Sequence, residues 1–288
     1  MQKYRLVREN AVRHIPGILI EEAPRASDGV LALAHHPSYI ERVSTGALSE
    51  SEVRAIGFPW SPQMVERSRR SAGATIAACR AAGEEGVAAN LAGGTHHAYA
   101  DHGEGFCVFN DAAVAARLMQ AERRARRVAI VDLDVHQGNG TAAILARDES
   151  VFTLSLHGEH NYPFSKETSD LDVALPDGTG DDAYLEALDG ALHAMYQRFA
   201  PDLIIYLAGA DPHENDRLGR LKLSMAGLAR RDRLVLEQAR GRGIPVALAM
   251  AGGYGRNIDD TVAVHLQTLQ LASGHACRSS SASRATIS

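Results

Sequence analysis

Five short, largely apolar runs recur along the chain, at 87–91, 128–133, 151–156, 203–207 and 245–250. A run of that length without regular polar alternation suits a strand buried on both faces. Longer stretches with helical periodicity lie between most of them, at 63–82, 110–124, 181–199, 224–242 and 256–271. Asp181, Asp182 and Ser224 are residues that cap helix starts, and Gly241 and Gly243 fit a helix stop before Pro245. Strands flanked by helices predict an α/β fold, with a mostly parallel central sheet covered by helices on both faces. No Pro/Gly-rich linker interrupts the pattern, so residues 1–272 are expected to form a single domain. The segment 273–288 is Ser-rich with few core-forming residues and predicts a disordered tail. No repeat at solenoid periods is present.

Composition narrows the class of function. The chain has 288 residues, enough for a sizeable core, and its 45% apolar content is that of a water-soluble globular protein. Aromatics are only 5%, so aliphatic side chains and alanine must fill that core. Thirty basic against 35 acidic residues give a formal charge of −5, which argues against dedicated nucleic-acid or anionic-lipid binding. No run of 18 apolar residues predicts a membrane span, and the N-terminus lacks an apolar signal core. Cys79, Cys107 and Cys277 are too few for a disulfide framework, which agrees with a reducing cytoplasm. Histidine, at 13 residues, is the unusual count, and it is both a common metal ligand and a frequent general base.

In open parallel sheets, ligand chemistry gathers at the carboxyl ends of the strands. The first run leads into Gly93-Gly94-Thr95-His96-His97. The second leads into Asp132-Leu133-Asp134-Val135-His136, followed by Gln137-Gly138-Asn139-Gly140. The third ends at Ser155-Leu156-His157, the fourth at Ala208-Gly209-Ala210-Asp211, and the fifth at Ala251-Gly252-Gly253-Tyr254. On an extended chain, Asp132, Asp134 and His136 share one side. Such a group is costly unless a cation neutralises it, and oxygen and nitrogen donors suit zinc or ferrous iron. Taken singly, each element also has a plain reading. The acids are a solvated loop, Asp211 is a helix cap, Tyr254 is a packing residue, and a His-His pair is a surface loop. His35-His36, before Pro37, is expected to be such a surface pair.

Six motifs occur in one order: GGTHHA (93–98), GFCVFND (105–111), DLDVHQGNG (132–140), LSLHG (154–158), AGADPHENDRLG (208–219) and AGGYG (251–255). Together they resemble the zinc-dependent histone deacetylase family, with its arginase–deacetylase fold. KYRLVRE and the DRLGRLKLS run are most similar to the small class IV-like and bacterial branch. The resemblance implies Asp134, His136 and Asp211 as metal ligands, His96 and His97 as tandem catalytic histidines, and Tyr254 as the group polarising the scissile carbonyl. It implies Asp132 as partner of His96 and Asn139 as partner of His97. Class I members carry aspartate at the latter position, so His97 should be held less readily as an imidazolium. Gly105, Phe106, Tyr162 and Leu218 match the acyl channel. Carbonyls around Asp132, Asp134, His136 and Leu156, with the Ser155 hydroxyl, match a structural potassium site. The family also has a strand and loop ahead of KYRLVRE, so either this sheet lacks that edge element or this sequence starts late.

The implied activity is removal of an acyl group from an amine. The candidates are an acyl-lysine protein, an acetylpolyamine or a small acetylated metabolite, and the oligomeric state is not readable. One alternative is a binuclear manganese ureohydrolase. That chemistry wants an additional aspartate and histidine set, whereas the loops read DLDVH and GGTHH. The other alternative is an inactive metal-holding scaffold. It predicts loss of a chemical residue, yet His96, His97 and Tyr254 are all present.

Overall fold

The computed structural model describes residues 2–275 and 284–287. Its strands are β1 (Leu19–Glu22), β2 (Val87–Asn90), β3 (Val128–Asp132), β4 (Val151–Gly158), β5 (Leu171–Leu175), β6 (Leu203–Leu207), β7 (Val246–Ala249) and β8 (Arg284–Ile287). Its helices are α1 (Gln2–His14), α2 (Asp28–Leu31), α3 (Pro37–Thr45), α4 (Glu50–Ile56) and α5 (Pro62–Glu85), followed by α6 (Asp111–Ala121), α7 (Asn139–Leu145), α8 (Asp181–Arg198), α9 (Met225–Arg240) and α10 (Ile258–His275).

The sheet runs β1-β8-β2-β7-β6-β3-β4-β5, and every pairing is parallel. Alternation along the central strands sorts side chains to two cores. Ala129, Val131, Ile204, Tyr206 and Leu248 face one layer with residues of α1, α8, α9 and α10. Val128, Ile130, Leu203, Ile205 and Ala247 face the other, with residues of α3, α5 and α6. The five apolar runs are therefore strands buried on both faces, as their composition requires. The expected α/β fold with helices on both faces is the observed one.

The differences from the expected elements have physical causes. β1 (LIEE) is largely exposed, and β5 (LDVAL) alternates at the opposite edge, so neither shows the continuous apolar signature of a central strand. Helix α1 is strongly charged and buries only Val7 and Ala11, which left a weak periodic signal. Helix α10 continues to His275, three residues into the expected disordered tail, because its Leu and Ala positions keep facing the core. Residues 276–283 and 288 lie outside the described residues. Residues 284–287 form β8 between β1 and β2. No helix among the described residues is long and apolar enough to cross a membrane.

The strand order also locates the site. From β3 the chain moves outward to β4, and from β6 it moves the other way to β7. The sheet therefore reverses between β3 and β6, where diverging connections leave a crevice at the strand ends. Asp132 is in register with Leu207, and Leu207 with Ala249, so the three following loops leave the sheet at one level.

Candidate active site

At that level Asp134 and His136, from the loop after β3, meet Asp211, from the loop after β6. Their ligand-type atoms all lie within 4.8 Å of one another, and all three residues are buried. His136 Nδ1 stands 2.9 Å from Asp134 Oδ1 and 3.4 Å from Asp211 Oδ2. Backbone amides orient the carboxylates: Val135 N donates to Asp211 Oδ1 (2.9 Å), Gly252 N to Asp134 Oδ2 (2.7 Å) and His136 N to Asp134 Oδ1 (3.0 Å). Asp211 Oδ2 is buried without a hydrogen-bond partner. A Cβ on Gly252 would lie 1.9 Å from that oxygen and 2.5 Å from Asp134 Oδ2, so only glycine lets the strand end approach the pair.

This donor set fits a divalent ion. Two carboxylates and one imidazole leave negative charge that the protein does not balance, and a buried oxygen without a donor marks where a cation belongs. Among the described residues this is the one such cluster. In the protein alone the deficit shows in the acidities. Burial opposes charge on His136, yet its hydrogen bond to Asp134 and the nearby Asp211 and Asp134 charges raise its pKa to about 10. Burial and then the Asp134 charge raise Asp211 to about 6.

His96 and His97 follow β2, with ring centroids 4.1 Å apart and planes tilted by 48°, and each Nδ1 meets a different partner. His96 Nδ1 is 2.6 Å from Asp132 Oδ2, and His97 Nδ1 is 2.7 Å from Asn139 Oδ1. Burial disfavours charge on His96, but the Asp132 and Asp134 carboxylates outweigh it and raise its pKa to about 9. Burial, reinforced by His96 and His136, holds His97 well below the usual histidine range. The expected weakness of His97 as an imidazolium is thus present, with an amide and not a carboxylate at its Nδ1.

Asp132, Asp134 and His136 do not share one role by lying on one extended strand. β3 ends at Asp132, whose carboxylate turns to His96, and a bend carries Asp134 and His136 to the cluster. Ser155, on β4, is in register with Asp132. Ser155 Oγ lies 3.0 Å from His157 Nδ1.

A cavity of about 420 Å³ opens onto the cluster. Its walls include His96, His97, Gly105, Phe106, Tyr162, Leu218 and Tyr254, together with the ligands. The four residues expected at the channel, Gly105, Phe106, Tyr162 and Leu218, all line this cavity. Tyr162 packs edge-on to His97 with ring centroids 4.9 Å apart. A Cβ on Gly105 would meet His97 Cδ2 at 2.6 Å, and Phe106 is held at a positive φ of 66°. Tyr254 lies opposite, its backbone N–H bonded to Asp216 Oδ2 at 2.6 Å. Burial drives its phenol far above the ordinary range, so the hydroxyl keeps its proton.

Family membership follows from comparison as well as geometry. A model of the histone deacetylase domain matches residues 2–269. The chain belongs to the histone deacetylase family. An uncharacterized protein of Picosynechococcus is 44% identical over 92% of this chain and 89% of its own length. A histone deacetylase-like amidohydrolase of Pseudomonas aeruginosa is 34% identical over 82% of this chain and 66% of its own. The crystal structure of the HDA15 HD domain superposes with a TM-score of 0.80 at 26% identity, over 94% of this chain and 83% of that one.

Three further residues support this deacetylase-family site: His35 lies outside the quoted motifs, while Asp111 and Lys3 lie in matching stretches without an assigned role. His35 is buried, not a surface histidine: its Nδ1 bonds Tyr99 O (2.9 Å) and its Nε2 accepts from Asn110 N (2.9 Å). It clasps the two ends of the loop that follows His96-His97. Asp111 is fully buried and accepts from Gly94 N (2.9 Å), Thr95 N (2.7 Å) and Thr75 Oγ1 (2.5 Å), bracing the turn before the histidines. Lys3 Nζ donates to Ala251 O (3.2 Å) and Gly253 O (3.3 Å), behind Tyr254. These partners are 16 to 250 residues apart in sequence, so only folding reveals them.

Proposed function

We propose that this chain is a metal-dependent amidohydrolase that removes an acetyl or other acyl group from an amine. The observation that carries this reading is the buried Asp134–His136–Asp211 cluster, with its unpartnered Asp211 oxygen, at the end of a cavity walled by His96, His97 and Tyr254. The three residues suit zinc or ferrous iron, and such an ion supplies Lewis acidity toward a carbonyl and lowers the pKa of water.

The remaining work falls to the chain. Gly105, Phe106, Tyr162 and Leu218 line a slot for a linear acyl-amide, so the scissile carbonyl reaches the cluster while the amine side faces the rim. Tyr254 donates a hydrogen bond to the oxygen that becomes negative as the carbonyl is attacked. Asp132 orients His96, and Asn139 orients His97, so each ring turns its Nε2 inward. His97, neutral with its proton on Nδ1, can accept a proton from the attacking water and pass it to the leaving amine. His96 supports the developing charge. The products are a free amine and a carboxylate.

Potassium held by carbonyls near Asp132, Asp134, His136 and Leu156 with Ser155 Oγ belongs to the same proposal, as a structural ion. So does a cytoplasmic location. Protein lysine, polyamines and small metabolites all present such an amine, and the acidic net charge favours a cationic one. The test is hydrolysis of a panel of acyl chain lengths on lysine peptides and polyamines, alongside metal analysis of the purified protein. Turnover of at least one substrate, lost on chelation, with one transition metal per chain, supports the reading. Two transition metals per chain, or hydrolysis insensitive to chelation, overturns it.

A further inference from the structure

The amide of Asn139 poses a question of orientation. A side-chain amide can turn either its oxygen or its NH₂ toward a neighbour, and the two poses have nearly the same shape. Which one faces His97 decides where the imidazole keeps its proton. An oxygen requires Nδ1–H and leaves a lone pair on Nε2, facing the cavity. An NH₂ requires the reverse and would put a hydrogen where the base must act.

The answer lies on the far side of Asn139. Its Nδ2 is 2.6 Å from Glu104 Oε1 and 3.0 Å from the Tyr99 hydroxyl. Ionised Glu104 has only accepting oxygens. Tyr99 has one proton, and its hydroxyl donates that proton to Glu167 Oε1 at 3.1 Å, so toward Asn139 it can only accept. Flipping the amide would bring Asn139 Oδ1 against a carboxylate oxygen at hydrogen-bond distance, with no proton between them. The pose with Nδ2 toward Glu104 and Oδ1 toward His97 is the one in which every group is satisfied.

Glu104 is also held where this requires. Its carbonyl accepts from Cys107 N at 2.8 Å, and the next two amides, Gly105 N and Phe106 N, donate to Ala55 O (3.1 Å) and Ile56 O (2.9 Å) at the end of α4. The turn is thus tied to a helix terminus. The Glu104 side chain, half-buried, is directed back toward Asn139.

We propose that Glu104 is a positioning residue that fixes the amide of Asn139 and, through it, the proton of His97 on Nδ1. The inference rests on the reading of His97 as the proton-transferring group, but its primary test does not need substrate. In zinc-loaded protein, long-range ¹H–¹⁵N correlation spectra distinguish the two neutral tautomers of a histidine. Wild-type His97 should show a proton on Nδ1. Glu104→Met should shift a substantial population to the other tautomer and lower kcat by about tenfold with little change in KM, in the range of lost orienting partners. Glu104→Gln, which can donate as well as accept, should shift the population partway in the same direction.

Asn139→Asp supplies the decisive cross. Aspartate accepts through either oxygen and needs no orienting partner, while it places a second carboxylate beside Glu104. In that background Glu104→Met should no longer lower turnover, so the penalty seen beside Asn139 disappears. A wild-type His97 protonated on Nε2 would overturn the proposal. So would an unshifted tautomer in both Glu104 variants, or an equal loss of turnover in both backgrounds. Failure of every substrate in the acyl panel would sink the hydrolase reading and leave the tautomer result standing.

Discussion

Two ionic centres lie side by side in this core, and they differ in one respect. Arg231 and Asp232 are fully buried, yet closed. Asp232 accepts from Arg231 Nε (2.8 Å), Tyr206 OH (2.5 Å) and Thr268 Oγ1 (2.6 Å), and Arg231 Nη1 donates to Gly209 O at 2.6 Å. One positive and one negative charge cancel, and both oxygens of Asp232 have donors. The Asp134–His136–Asp211 cluster is as deeply buried, but it holds two carboxylates against one imidazole and leaves Asp211 Oδ2 without a donor. Arg231 Nη2 has no hydrogen-bond partner but lies 2.8 Å from Asp232 Oδ1, so the first centre is balanced in charge without an outside ion. The second is incomplete without a cation, and a cavity leads to it. Burial of charge alone therefore does not mark a functional site; burial with the balance left open does.

Substitutions should separate the two centres. The largest effect is expected for Asp211→Asn, which removes a ligand from the open centre. Activity should fall by more than ~10²-fold, beyond the loss typical of outer partners. Chelation should lower the Tm of the wild type, since an ion that binds only the folded state at a thousand times its Kd adds about 4 kcal/mol. The variant's Tm should ignore the chelator; a response equal to wild type would break the comparison. Next comes Asp232→Ala in the closed centre, which strands Arg231 and should destabilise by roughly 3–5 kcal/mol in urea unfolding. Its folded fraction should still carry one metal per chain.

Tyr254→Phe touches neither charge balance. It should reduce turnover by ~10²–10³ with metal content and Tm unchanged; wild-type turnover would remove Tyr254 from the chemistry. The smallest expected effect concerns His35, a buried group kept neutral. Burial lowers its pKa to about 4, from an ordinary 6.5. The unfolded chain then binds the proton more readily, so the stability is complete above pH 6.5 and is lost as pH falls toward 4, by roughly 3 kcal/mol at most. Unfolding free energies measured from pH 7 to pH 4 should fall less steeply in His35→Gln. An equal slope would show that the His35 pKa is the same in the folded and unfolded chain.

The two tandem histidine pairs show how far local pattern reaches. His96-His97 stood out because it follows an apolar strand and two glycines. His35-His36 had no such setting and read as surface loop, yet His35 is buried between Tyr99 and Asn110. Its environment comes from residues 64 and 75 positions away, which no window of sequence contains. Asn139 was legible as the partner of His97, but Glu104 was not. A carboxylate one residue before a motif glycine looks like any loop acid until the fold puts it behind the amide.

Apolar runs long enough for central strands, helical periods between them and polar residues after each strand determined the α/β class and the end of the sheet that carries chemistry. Those are local consequences of burying apolar surface and of backbone hydrogen bonding. The edge strands β1 and β5 escaped that logic because one side of each faces solvent. Only the tertiary structure decided which charges are balanced, which oxygen lacks a donor and which way an amide points. Each depends on groups brought together from distant segments, and at hydrogen-bond distances a shift of one ångström changes the answer.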